Sequence, residues 1–221
     1  MSEVRARALA ARIHGRYLVR PPAGNGRGPL LVGFHGYGEA AEAHLEQLER
    51  IPGARDLALV AVQSLHLFYT KAGDVVGSWM TKLEREHAIA DNVAYVAQVV
   101  ARVREELPRA GPLVFAGFSQ GVSMAYRAAA HSGHPCAGLM ALGGDMPPDV
   151  SEDEGARLPP ALVARGEGDH WFTAEKMERD LARLRARGVP VRPLVFAGGH
   201  EWSPAFHSAA AEFLGSLGVD A

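Results

Sequence analysis

The sequence predicts a three-layer α/β fold, a mostly parallel central sheet with helices on both faces. Two observations predict it. Short apolar runs recur along the chain without strict alternation, as strands buried on both faces require. The segments between several of them carry apolar residues at steps of three and four, the helical period. Strand–helix alternation of this kind gives a sheet covered on both sides.

In chain order, Arg12–Arg20 supplies one or two edge strands, and glycine-rich Ala23–Pro29 is a surface turn. Leu30–Phe34 and Leu57–Gln63 are the first central strands. Ser64–Met80 connects to a long helix, with a hairpin turn at Lys71-Ala-Gly-Asp74. In Lys82–Leu107 the residues Ile89, Val93, Val96, Val100, Val103 and Leu107 form one apolar stripe. Strand Leu113–Gly117 is followed by helix Gln120–Ala130, and strands Ala137–Leu142 and Ala161–Arg165 come next. Helix Thr173–Arg187 carries Met177, Leu181 and Leu184 on one face and stops at Gly188-Val-Pro190. Val191–Ala197 is the last strand. The final helix opens with Ser203 as N-cap and Pro204 at its first position.

The length of 221 residues suits one domain spanning 1–221, with no repeat or linker to divide it. A net charge of −2 gives no electrostatic footprint for nucleic acid. The early arginines Arg5, Arg7, Arg12, Arg16 and Arg20 read as a solvated surface. Cys136 is the only cysteine, so no intramolecular disulfide forms, in keeping with a reducing compartment. No signal peptide is read at the N-terminus and no apolar run is of membrane-spanning length. A cytoplasmic protein without stable membrane insertion is expected, its oligomeric state left open.

Chemistry enters at Gly117-Phe-Ser119-Gln-Gly121, directly after a strand and before a helix. Glycines two residues either side of a serine permit a turn too tight for side chains, with the serine at its tip. A nucleophilic serine needs a base, an acid to orient the base, and donors for an oxyanion. In an open α/β sheet these gather at the carboxyl ends of the strands. His200 lies there, after Gly198-Gly199, whereas His207 falls inside the last helix and reads as packing or surface. Asp169 follows the strand before, through Gly166-Glu-Gly168; Asp145 and Glu167 compete with it. The order Ser119, Asp169, His200 favours Asp169, although Asp145 fits that order too. The loop Val32-Gly-Phe-His35-Gly36-Tyr37-Gly38 supplies one oxyanion N–H, from Tyr37, and Gln120 supplies the other. His35 is read as holding that loop. His131, His134 and Cys136 lack a fourth ligand at a recognisable spacing, so no metal site is read there.

Taken together, Pro29-Leu-Leu-Val-Gly-Phe-His-Gly36, Gly117-Phe-Ser-Gln-Gly121, Gly166-Glu-Gly-Asp169 and Gly199-His200 resemble the phospholipase/carboxylesterase family of α/β-hydrolases, which includes acyl-protein thioesterases and small bacterial esterases. The resemblance implies an α/β-hydrolase fold without a large cap domain. It implies Ser119, Asp169 and His200 as catalytic triad, Tyr37 and Gln120 N–H groups as oxyanion hole, and neither metal nor organic cofactor. The chain departs from the family's habit at Arg165, where histidine is common, at Trp171-Phe172, where a small aliphatic residue is, at Tyr37 in place of leucine, and at Glu201-Trp202.

The expected activity is hydrolysis of a small-molecule acyl ester, with thioesters and lysophospholipids as related substrates, through an acyl-enzyme. A peptidase or amidase on the same fold and a non-catalytic ligand-binding relative are the rival readings. Trp79, Trp171 and Trp202 are read as substrate-binding, because two of them stand two residues from the expected acid and base. For Trp79, walling the pocket and packing in the core are equally weighted, while Phe68 and Tyr69 are read as packing.

Overall fold

The computed structural model describes residues 3–24 and 26–217; residues 1–2, 25 and 218–221, which the expected domain span includes, lie outside it. The elements are β1 (Tyr17–Arg20), β2 (Leu30–Phe34), α1 (Ala41–Glu49), a 3₁₀ turn (Ala54–Asp56), β3 (Ala58–Val62), β4 (His66–Tyr69), β5 (Val75–Ser78), α2 (Arg85–Glu106), β6 (Leu113–Phe118), α3 (Gln120–His131), β7 (Gly138–Leu142), α4 (Pro148–Ser151), β8 (Ala161–Gly166), α5 (Ala174–Ala186), β9 (Val191–Phe196) and α6 (Pro204–Ser216).

Seven strands form one sheet in the order β1-β3-β2-β6-β7-β8-β9. Only β1 runs antiparallel; the pairs from β3 to β9 are parallel. This is the architecture of an α/β-hydrolase, with no large cap domain. β2, β3, β6, β7 and β8 are buried along their whole length, so their residues read as unbroken apolar runs. β9, at the edge opposite β1, leaves Arg192, Pro193 and Val195 to solvent; Pro193 is tolerated there because an edge needs fewer donors.

Side chains alternate across the sheet into two cores. Leu30, Val32, Phe34, Val60 and Phe115 meet α2, α3 and α5 through Val96, Val100, Met124 and Leu181. Leu31, Leu59, Val114 and Met140 meet α1 and α6 through Leu48, Phe206, Phe213 and Leu214. The last helix is capped as its sequence predicts, Ser203 accepting the Phe206 N–H at 3.1 Å with Pro204 behind it. α5 starts the same way on Thr173, which accepts the Lys176 N–H.

Several elements differ in extent from the sequence reading or were not read there, the short α4 among them. Arg12–Arg20 yields one edge strand, β1, shorter than the segment expected. α1 carries only Ala41, His44 and Leu48 inward, a stripe broken by a histidine and so hard to read as apolar. The stripe of α2 is displaced by one position at its N-terminal end. Ala88, Asn92, Val96, Val99, Val100 and Val103 are buried, while Ile89 and Val93 are only half-buried. The central line goes to Asn92 because its amide donates to the Trp79 carbonyl at 2.8 Å. Among the described residues no helix is long and apolar enough to cross a membrane.

Candidate active site

β6 is the middle strand of the sheet, and its carboxyl end delivers Ser119. Ser119 adopts φ 54° and ψ −120°, one of two non-glycine residues with positive φ among those described. The turn needs glycine at both flanks for steric reasons. A Cβ on Gly117 would overlap the Gly121 carbonyl, and one on Gly121 would overlap the carbonyls of Phe34 and His35. The close approach at Gly121 brings the first turn of α3 against the loop that follows β2. A Cβ on Gly144 would likewise strike the Ser119 carbonyl, so the loop after β7 closes the turn from the other side.

The loops after β8 and β9 bring the expected partners to the serine. His200 Nε2 lies 2.8 Å from Ser119 Oγ, and His200 Nδ1 lies 2.9 Å from Asp169 Oδ2. A carboxylate can only accept, so Nδ1 carries the proton donated to Asp169 and Nε2 is left to accept from the serine hydroxyl. Asp169 is 3% exposed. Its second oxygen, Oδ1, accepts the backbone N–H groups of Trp171 at 2.8 Å and Phe172 at 2.9 Å. The carboxylate is thus fixed by its own loop. That loop is held by Arg165, buried in β8, whose guanidinium donates to the carbonyls of Phe172 and Glu167, both at 2.9 Å. Arg165 therefore has a structural task here that histidine, with a shorter reach and fewer donors, would not perform in the same way. Asp145, the competing acid, points elsewhere: half-exposed, it faces Arg179 at 3.7 Å.

The loop after β2 is held by His35. Its Nδ1 bonds the Gly36 carbonyl at 2.7 Å, so Nε2 accepts, from the Ser64 N–H at 3.1 Å and the Gln63 amide at 3.0 Å. Burial pulls this imidazole below its usual pKa, partly offset by the Gly36 bond. Glu39 was not singled out in the sequence. It accepts the Gly36 N–H at 2.7 Å, and burial pushes its carboxyl up, the Gly36 bond and the His200 charge opposing. A carboxylate three residues after a glycine carries no signal that would have found it. The Tyr37 N–H, next in the loop, makes no hydrogen bond among the described residues, and Gln120 opens α3 with its own N–H at the free end of the helix.

The tryptophans separate into three environments. Trp79 is fully buried; its indole N–H donates to the His35 carbonyl at 2.8 Å and its ring meets Phe34 edge-on. It packs in the core, with no surface left exposed to line an open cleft. Trp202 is half-buried, stacked on His207 and packed against Phe118 and Phe206 at the margin of the second core. Trp171 stands 74% exposed beside Asp169. Tyr37 is exposed as well, and stacks on Phe68 of β4 at 5.4 Å. His134 bonds the Ala97 carbonyl and Cys136 the Gly138 carbonyl, which assigns both to local structure.

The phospholipase/carboxylesterase family matches residues 22–169, about two thirds of the chain. No curated protein sequence matches it. Among solved structures, a Bacillus cereus carboxylesterase superposes with a TM-score of 0.73 at 14% identity, over 92% of this chain and 95% of that one. Esterase PE8 gives 0.72 at 23% identity, over 94% and 100%. Zea mays acyl-protein thioesterase 2 gives 0.70 at 18% identity, over 93% and 100%. At these identities the structural likenesses speak for the fold, and the family match is the stronger finding. With the sheet order, the serine turn and the residues gathered around it, it places the chain in the phospholipase/carboxylesterase family of α/β-hydrolases.

Proposed function

We propose that the protein is a one-domain serine esterase that cleaves carboxylic esters, and thioesters of similar size, through an acyl-enzyme. The observation that carries this reading is the unbroken relay from Asp169 through His200 to Ser119, at 2.9 and 2.8 Å, on a serine with strained backbone. In the first half-reaction His200 Nε2 takes the Ser119 proton as Oγ attacks the acyl carbon. Asp169 holds the imidazole in the tautomer that can accept, and stabilises the imidazolium. The tetrahedral oxyanion sits between the N–H groups of Tyr37 and Gln120, the second reinforced by the positive end of α3. His200 returns the proton to the leaving alcohol or thiol. In the second half-reaction the same imidazole deprotonates a water, which attacks the acyl-serine and frees the acid.

A fluorophosphonate should label Ser119, and Ser119→Ala should lower kcat on a short p-nitrophenyl ester about 10⁴-fold or more. Asp169→Asn should lower it roughly 10²–10⁴-fold by misdirecting the imidazole, while Asp145→Asn leaves it near wild type. An adduct on another residue, or the reverse ranking of the two aspartates, would remove the assignment.

A further inference from the structure

The β4–β5 hairpin lies outside the main sheet, yet it is bonded to both sides of the proposed oxyanion hole. On one side, Gly38 N–H donates to the Gly77 carbonyl and Gly77 N–H to the Glu39 carbonyl, each at 2.9 Å. These bonds form a short bridge between β5 and the loop that bears Tyr37. A Cβ on Gly77 would crowd the Ser64 hydroxyl and the Gln63 amide. On the other side, the chain leaving β5 is bound by the side chain of Gln120. Its Oε1 accepts the Trp79 N–H at 2.9 Å, and its Nε2 donates to the Met80 carbonyl at 3.1 Å and to Ser78 Oγ at 3.3 Å. The Ser78 hydroxyl passes its own proton to the Met80 carbonyl at 2.9 Å.

A carboxamide is suited to this task. It offers an acceptor and a donor on one flat group, as a peptide unit does across a β-ladder. Here it meets a backbone N–H and a backbone C=O one residue apart. Glutamate could accept from Trp79 but would turn an oxygen toward the Met80 carbonyl. Asparagine is shorter by a methylene, and a methionine would fill the space without bonds. The backbone N–H of the same residue is the donor assigned to the oxyanion. The side chain therefore ties one donor to β5, and β5 ties it to the loop of the other.

We propose that β4–β5 is a strap that fixes the separation of the two oxyanion donors, and that the Gln120 carboxamide is the positioning residue that fastens it. The proposal rests on the esterase reading for its catalytic consequence and on hydrogen bonding alone for its mechanical one. With the fastening cut, both N–H groups remain, but their spacing is no longer imposed. Loss of a whole donor costs about 10²–10³ in kcat, so loss of its alignment should cost roughly 10–10²-fold, with KM within about twofold. A boronic acid that forms a tetrahedral adduct on Ser119 should lose affinity by the same factor as kcat.

Two measurements on wild type and Gln120→Met test it. The first compares kcat, KM and boronate inhibition on a short ester. The second follows amide exchange at Gly38, Gly77 and Trp79. The strap requires faster exchange at Gly38 and Gly77 as well as at Trp79, although Gln120 touches neither glycine. Retained kcat in an otherwise active enzyme, or faster exchange at Trp79 alone, would overturn it. A wild-type protein that neither reacts with fluorophosphonate nor turns over esters would defeat the esterase reading, while the exchange pattern would still decide the strap. Should Gln120→Met fail to fold, Gln120→Asn carries the same comparison, since its carboxamide is shorter by a methylene and no longer spans to both Trp79 and Met80.

Discussion

Ser119 is held with φ 54° and ψ −120°, a backbone state that costs a non-glycine residue about 1–3 kcal/mol. The surroundings over-determine it. Its N–H donates to the Leu142 carbonyl at 2.9 Å and its carbonyl accepts from Val122 at 3.0 Å, while glycines at 117, 121 and 144 clear the space. The two glycines of the pentapeptide were legible in the sequence. Gly144 was not, because nothing local marks a residue that must be small for the sake of another loop. His44 is a second residue whose state only the fold reveals. It is 1% exposed, neither ring nitrogen has a partner among the described residues, and burial pulls its pKa down to about 3. The unfolded chain takes up a proton there near 6.5, whereas the folded chain does not until about 3. Stability from this residue is therefore complete above 6.5 and is lost as pH falls from there. At pH 5 the loss is about 2 kcal/mol. His35 and His207, whose pKa values burial also lowers, act in the same direction. Asp180, pushed up to about 6 by burial, acts in the opposite one, since the folded chain protonates it first. Denaturant melts of wild type and His44→Leu at pH 7 and pH 5 isolate the single group. The drop between the two pH values should be about 2 kcal/mol smaller in the variant; an equal drop would mean that His44 titrates normally.

At the scale of elements, α2 shows how a polar residue displaces a stripe. Its periodicity was read through Ile89 and Val93, yet the buried line runs through Ala88 and Asn92. Asn92 is buried completely, and its amide donates to the carbonyls of Trp79 and Ala88. Trp79 in turn holds the His35 carbonyl, so the helix supports the loop after β2 through a single indole. Apolar periodicity cannot announce an inward asparagine, because such a residue is placed by a carbonyl on another segment. Asn92→Leu keeps the branching and the number of side-chain heavy atoms but removes the donor, taking away the Asn92 bond to the buried Trp79 carbonyl. The expected cost is about 1–3 kcal/mol, read as a lower urea midpoint with unchanged slope. A variant as stable as wild type would mean that water or a neighbouring donor takes over. The central strands were legible to within a residue or so of their ends, because burial on both faces makes their apolar runs continuous. α1 was not, since nine residues with only Ala41, His44 and Leu48 inward leave too short a pattern.

For the whole molecule, the alternation of strands and helices announced a parallel sheet, but not which strands are neighbours; β2 lies between β3 and β6 in an order that no local signal encodes. That order sets the loops after β2, β6, β8 and β9 along one edge, where Ser119, Asp169 and His200 come within hydrogen-bonding distance of one another. It also decides the fate of the three tryptophans, for which proximity in sequence was a poor guide. Trp202 sits two residues from His200, but the chain turns there into α6 and packs the half-buried indole against the margin of the second core. Trp79 is carried into the first. Trp171 is the most exposed of the three, standing on the edge proposed to be catalytic. Size selection should therefore separate the three. On esters of graded length, each methylene that finds apolar surface adds about 0.8 kcal/mol, so kcat/KM should rise with length until the chain meets the Trp171 indole. Trp171→Ala should shift that maximum to longer chains, leave turnover of the shortest ester unchanged, and barely move Tm, because the side chain it removes is 74% exposed. Trp79→Ala, by contrast, opens a cavity in the core at a cost of about 3–5 kcal/mol. It should lower Tm steeply, and any folded fraction should keep the wild-type length preference. An unmodified protein whose kcat/KM climbs without a maximum to long acyl chains would show that Trp171 stands clear of the acyl path, and that the open edge admits lipid-length substrates.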